Sequence, residues 1–220
     1  MRPNWARRVM LVLILLLFPE PRANAEDHAT VIVFVYNNAK VPESVMAETG
    51  RHVREMFDKA GVELIWLDSM ARLRAGQTEA LGVAPAEVRA IRVSVVIIPR
   101  PDEIAPRLRN LDGRMGWTPD GQNVRTYVFY ARVEDFVLKN FARIYTLRVP
   151  RLLTYAIAHE LGHLLLPLAE AHSEKGIMKS QLDGNDLAEV FSGSLSFTAK
   201  EGQMMRNEVE RRVRLLKMVR

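Results

Sequence analysis

The chain has 220 residues, 48% of them hydrophobic and 26% charged, with a formal net charge of +5, enough for one domain with a sizeable core. It has no cysteine, which excludes disulfides, thiolate metal ligands, a cysteine nucleophile and a lipid-anchored cysteine; any metal must be held by His, Asp or Glu. No long basic stripe interleaved with aromatics runs through it, so no nucleic-acid partner is expected.

The first 25 residues read as a secretory signal peptide. Arg2, Arg7 and Arg8 make a positive start, residues 9–18 (VMLVLILLLF) form an apolar run too short to span a bilayer comfortably, and Ala23-Asn24-Ala25 is a small-x-small cleavage site. The competing reading is an uncleaved membrane anchor. The expected division is a leader at 1–25 and one working domain at 26–220. The product would be secreted or periplasmic, with no stable membrane insertion after cleavage. Without Arg2, Arg7, Arg8, Arg22 and Glu20, 27 basic and 25 acidic side chains remain, a formal +2.

Residues 30–36 (TVIVFVY) predict a buried strand, β-branched and aromatic. Residues 42–60 predict an amphipathic helix with Val45, Met46, Val53, Met56 and Phe57 near one face, stopped by Gly61. Residues 62–67 (VELIWL) and 91–98 (IRVSVVII) predict two more strands, with an irregular or short helical stretch at 72–87 between them. Residues 100–123 form a long loop with turn signals at Asp112-Gly113 and Asp120-Gly121, inside which Met115 to Trp117 could be a short edge strand. A strand at 125–133 (RTYVFYARV) and a helix at 134–144 follow. The next helix starts near Pro150, a favoured first-turn residue, and runs to about Leu166, where Pro167 stops it. At the C-terminus Thr198 and Glu201 form a capping-box pattern ahead of a helix from 199 to about 219, with Met205, Val209, Val213 and Leu216 as its apolar seam. Together these predict one α+β domain of α/β-like character.

The helix at 150–166 carries the chemistry. His159 and His163 are four apart and so share a face, where two imidazoles can converge on one zinc ion at about 2.0–2.1 Å. Glu160 is one position round from His159, bordering the open side of such an ion. There it can take a proton from a zinc-bound water and give it to a leaving amine. Leu152, Leu153, Ile157, Leu161, Leu164, Leu165 and Leu166 make the helix apolar nearly all round. A plain core helix is the bland reading, but a buried glutamate and two histidines are costly without partners, and a metal supplies one.

The run HELGH (159–163), followed by His172-Ser173 and Gly176-Ile177-Met178, resembles the metzincin clan of zinc peptidases, and within it the matrixin-like arrangement. It also resembles a group of exported bacterial proteins with HELGHLLL, HS and GIM preceded by a YVFYxRV segment, here 127–133. The resemblance implies His172 as third ligand to one catalytic zinc ion, Met178 as the methionine of a tight turn beneath the metal, and a protein or peptide substrate. It implies a single metzincin-like domain: a twisted, mostly parallel sheet of four to five strands, an N-terminal backing helix, an active-site helix and a C-terminal helix. It also implies substrate alignment along the edge strand near Met115 to Trp117. Two departures stand out. Leu166 occupies the clan's glycine position, and the third histidine comes three residues late. Leucine does not readily take a positive φ, so the chain must leave the helix by Pro167 and a wider loop, PLAEA.

Several alternatives stay open at this level. Glu170, or Glu189 from a following helix, could replace His172 as a ligand, and Met178 could be plain core packing. His28 and His52 read as solvated, and DGNDLAE from Asp183, faintly like a calcium loop, reads as a turn. The function expected is an exported zinc-dependent endopeptidase using water activated by Glu160. The alternatives are a zinc hydrolase acting on cell-wall peptides and a non-catalytic zinc-containing binding protein. A structural zinc site would need a fourth ligand and no glutamate beside it. Mass spectrometry of the exported protein should find an N-terminus at Glu26; intact Met1 in a membrane fraction would overturn the leader reading.

Overall fold

The computed structural model describes residues 29–68, 90–101, 111, 113–119, 124–167 and 172–218. The expected leader, His28, the irregular stretch at 72–87 and Glu170 lie outside the described residues. Among the described residues no helix is long and apolar enough to cross a membrane.

Strand β1 (Ala29–Asn37) has neighbours on both sides, and its near-continuous apolar run is what such a strand needs. It pairs in parallel with β2 (Val62–Asp68) on one side and β3 (Ala90–Ile98) on the other. The short β4 (Gly116–Trp117) ends the sheet and runs antiparallel to β5 (Arg125–Phe129), which is parallel to β3. The order is β2-β1-β3-β5-β4. Successive side chains of a strand point to opposite faces. Val31, Val33 and Val35 of β1 and Val93, Val95 and Ile97 of β3 therefore line up in the main core, all 0–1% exposed. The other face carries a smaller cluster of Ile98, Leu111 and Phe129, with Trp117 stacked on Tyr127 at 5.7 Å.

The helices are α1 (Glu43–Lys59), α2 (Tyr130–Phe141), α3 (Tyr145–Leu165), α4 (Gly184–Ser192) and α5 (Ala199–Met218). Helix α1 follows β1 and packs on α3 and β2, burying Met46, Val53, Met56 and Phe57. Helix α3 runs against α1, α2 and α5 and reaches both β5 and β4, which sets its HELGH segment beside the edge of the sheet. The result is an α+β domain whose mostly parallel five-stranded sheet has an N-terminal backing helix, the histidine-bearing helix and a C-terminal helix.

Several local expectations need correction. The strand expected at 125–133 stops at Phe129, and Tyr130 opens α2. Tyr130, Val133 and Val137 are buried at helical spacing, and that helical face outweighs the strand-like composition. Pro150 lies inside α3 rather than at its start. The carbonyl it leaves without a partner belongs to Thr146, an exposed residue where water can serve it. The turn expected at Asp183 is the N-cap of α4. Its carboxylate accepts from the amides of Asn185 (2.8 Å) and Asp186 (3.0 Å), while Asp186 accepts in return from the Asp183 amide (2.8 Å). His52 is 4% exposed, not solvated. It sits 3.1 Å from Glu55 and 3.4 Å from Glu48, with Arg151 of α3 at 3.3 Å, because the packing of α1 on α3 covers it.

The capping box of α5 is present: Glu201 accepts from the Thr198 amide at 2.7 Å, and Thr198 Oγ1 from the Glu201 amide at 3.2 Å. Of its expected seam, Met205 and Val209 are fully buried, whereas Leu216 is 56% exposed because the last turns outrun the core. In chemical denaturation Phe57→Ala should cost about 3–5 kcal/mol, since Phe57 is 0% exposed and packs edge-on against Phe197 at 4.8 Å. Leu216→Ala should stay within about 0.5 kcal/mol of the parent; equal losses would mean that the seam extends to the end of α5.

Candidate metal and active site

His159 and His163 stand one turn apart near the end of α3, with His163 Nε2 3.1 Å from His159 Nε2. His172 joins them from beyond the end of the helix. One donor nitrogen from each of the three lies within 4.8 Å of the others, and the ring centroids are 4.7, 4.9 and 5.6 Å apart. Two nitrogens held tetrahedrally at about 2.0–2.1 Å from a zinc ion stand about 3.3 Å apart, so the spacing on the helix fits that ion with little adjustment. His159 Nδ1 lies 2.8 Å from the Ile177 carbonyl, which takes its N–H and leaves Nε2 to face the cluster. Burial pushes the His163 imidazole down to about 3, with the His159 and His172 imidazoles and the Arg114 guanidinium adding to it. Burial lowers His159 too, against the Ile177 hydrogen bond. Neutral imidazoles with free nitrogens are the form a metal ion needs.

The third histidine is placed by a tight turn. Leu166 ends α3 in extended conformation (φ −101°, ψ 150°), as a leucine in a glycine's place must. Beyond His172, the Ser173 amide donates to the Met178 carbonyl at 3.0 Å and the Lys179 amide to the Gly176 carbonyl at 3.2 Å, closing a turn over Gly176–Lys179. Gly176 takes φ +75°, and a Cβ there would meet the Ser196 carbonyl oxygen at 2.6 Å, so only glycine fits. The neighbouring Ile177 amide donates to that carbonyl at 3.2 Å. Met178 is fully buried, with its sulfur against Gly162 in the middle of HELGH. The methionine therefore packs beneath the helix that carries the first two histidines.

Glu160 points away from bulk water, 6% exposed. Thr118 Oγ1 donates to its Oε2 at 2.7 Å, and Thr126 Oγ1 lies 3.4 Å from the same oxygen. Burial pushes its carboxyl up to about 7, against the two threonine hydroxyls and the charge of Arg114, which pull it down. A group poised there can accept and release a proton near neutrality.

Among the described residues the metal-capable group is His159, His163 and His172. Glu189 is exposed on α4 and does not join it. Sequence reasoning missed Gly116, Thr118 and Thr126, which touch Glu160, and Tyr155, one turn before His159, with its ring 5.7 Å from that imidazole. Tyr155 was findable, being four residues before His159 on the same helical face. The threonines lie 42 and 34 residues before Glu160, and no local pattern links them to it. A separate hollow is lined by Phe141, Arg148, Leu187 and Phe191, and among the described residues it offers no second metal-ligating group.

No protein-family model matches the chain, and no curated protein sequence matches it. Among solved structures it is similar to archaemetzincin from Methanopyrus kandleri, at 17% identity over 86% of this chain and 99% of that one, with a TM-score of 0.38. At that distance the chemistry has to rest on the side chains of this chain.

His172→Ala should cost the purified protein its stoichiometric zinc in metal analysis after dialysis, because two imidazoles hold the ion poorly. Glu189→Ala should keep it. Zinc retained by the first variant and lost by the second would reassign the third ligand.

Proposed function

We propose that this chain is an exported zinc-dependent endopeptidase with His159, His163 and His172 as metal ligands and Glu160 as general base. The observation that carries the reading is the convergence of three imidazoles, two of them on the helix whose buried Glu160 abuts the sheet edge. A zinc ion held there would supply a nucleophile at neutral pH and polarise a scissile carbonyl. The remaining work falls to the chain's own groups. Glu160 accepts a proton from the attacking water and returns it to the departing amine, a task suited to a carboxyl near neutrality. Strand β4 takes an extended peptide by strand addition, along a line that passes Gly116 and so runs next to Glu160.

The exposure of His172 supports an open catalytic site over a closed structural one, since a structural zinc is sealed by four protein ligands. Hydrolysis of a cell-wall peptide cross-link would use the same groups, and substrate profiling separates it from proteolysis. Export is proposed from the leader, with peptide as the expected partner and zinc as the single cofactor.

Glu160→Gln should keep the fold and a full zinc ion, because the amide is nearly isosteric. It should lose cleavage by about 10²–10⁴-fold. Metal content and cleavage of a broad peptide library, measured on the same preparation, check both halves. A zinc-loaded parent protein that cleaves no protein, peptide or cell-wall fragment would sink the enzymatic reading.

A further inference from the structure

Resting on the assignment of Glu160 as general base, we propose that Thr118 and Thr126 are positioning residues for its carboxylate, and that Gly116 is the space that admits it. Each threonine has one hydroxyl proton to give. Thr118 Oγ1 is 2.7 Å from Glu160 Oε2 and 2.7 Å from Thr126 Oγ1. Its remaining contact, to the Glu160 backbone carbonyl, is longer at 3.2 Å. Thr126 Oγ1 is 3.2 Å from the Trp117 carbonyl and 3.4 Å from Oε2. The assignment that uses both short distances runs in one direction: Thr126 donates to Thr118, and Thr118 donates to Glu160. Hydrogen bonds in such a chain reinforce one another, and the last one, to a charged acceptor, is the strongest.

The third element is steric. A Cβ on Gly116 would stand 2.5, 2.6 and 2.7 Å from Glu160 Cγ, Oε1 and Cδ, so the glutamate side chain occupies the volume that any other residue would fill. Gly116 faces Glu160 from β4, Trp117 stacks on Tyr127, and Thr118 follows directly after the strand. Thr126, 0% exposed, comes from β5 beside them. The Thr118 hydroxyl thus holds one oxygen of the carboxylate, and β5 holds that hydroxyl through Thr126. Among the described residues no protein group donates to the other carboxylate oxygen, which is left for water. A strand that receives substrate and also holds the base keeps both in one rigid frame.

Hydroxyl and shape can be separated by substitution. Thr118→Val keeps the shape and removes the donor; Thr118→Ser keeps the donor and removes a methyl. For zinc-loaded protein, Thr118→Val should lower kcat about 10- to 100-fold, with KM within about twofold and zinc content full, and Thr118→Ser should restore most of the rate. The Thr126→Val loss should be the smaller, since it acts through Thr118. A packing role gives the reverse pattern, an active Val variant and an impaired Ser variant, and overturns the proposal. A second readout needs neither metal nor activity. In metal-free protein Thr118→Val should lower the Tm of the parent more than that of a Glu160→Met background, where the carboxylate acceptor is gone and only the weaker backbone contact remains. Equal Tm losses in both backgrounds overturn the cradle even if the peptidase stands. If the parent protein hydrolyses nothing, the enzymatic reading fails by itself, and the Tm comparison alone decides the cradle.

Discussion

A carboxylate buried in an apolar helix is the constraint on which this structure turns. Burying an ionised carboxyl without partners costs several kcal/mol. Helix α3 makes no side-chain hydrogen bond to it, and Leu152, Leu153, Ile157, Leu161, Leu164 and Leu165 are among its fully buried residues. The partners come from the end of the sheet. For Thr118 to reach Glu160, β4 must pair with β5, and β5 must sit in register with β3. The sheet edge is thereby tied to the helix by a polar contact as well as by packing. The two histidines flanking Glu160 meet the same problem differently: burial keeps them neutral, and His159 gives its one N–H to a backbone carbonyl.

Much of this was legible in the chain. The run at 30–36 reads as a buried strand from its β-branched and aromatic composition, and the spacing of Met46, Val53, Met56 and Phe57 reads as a helix face. The pairing of His159 with His163 follows from helical periodicity, whereas the turn at Met178 was expected only from the resemblance, and the positive φ of Gly176 appears in the structure alone. What failed has physical reasons. Tyr130 to Val133 carries strand-like residues, but their burial follows a helix, and composition cannot show which face the core will cover. His52 looks polar-facing on α1 alone; it is buried because Arg151 and the rest of α3 arrive from a hundred residues away. The threonine contacts are of the same kind, set by the pairing of β4 with β5 and written in no local pattern.

Core and site are also continuous. Met178 lies under Gly162, and Phe197 packs on Phe57 of α1 while reaching the same glycine. A change in the packing of α1 on α3 therefore reaches the floor of the histidine cluster through two side-chain contacts, although Phe57 belongs to the ordinary hydrophobic core. The lack of a side chain at Gly162 lets the turn come close enough to support the helix from below.

The contact between Ile177 and the Ser196 carbonyl sets an order in time. A chain made from its N-terminus has HELGH and His172 in hand before residues 196 and 197 exist. At about 5–20 residues per second that interval lasts on the order of seconds. In that interval His172 hangs on a loop whose turn has not yet met the carbonyl that fits against Gly176. The histidine cluster is thus finished from its C-terminal side. A chain cut before Ser196 would carry every histidine of the cluster and lack the backbone that pins the loop bearing the third.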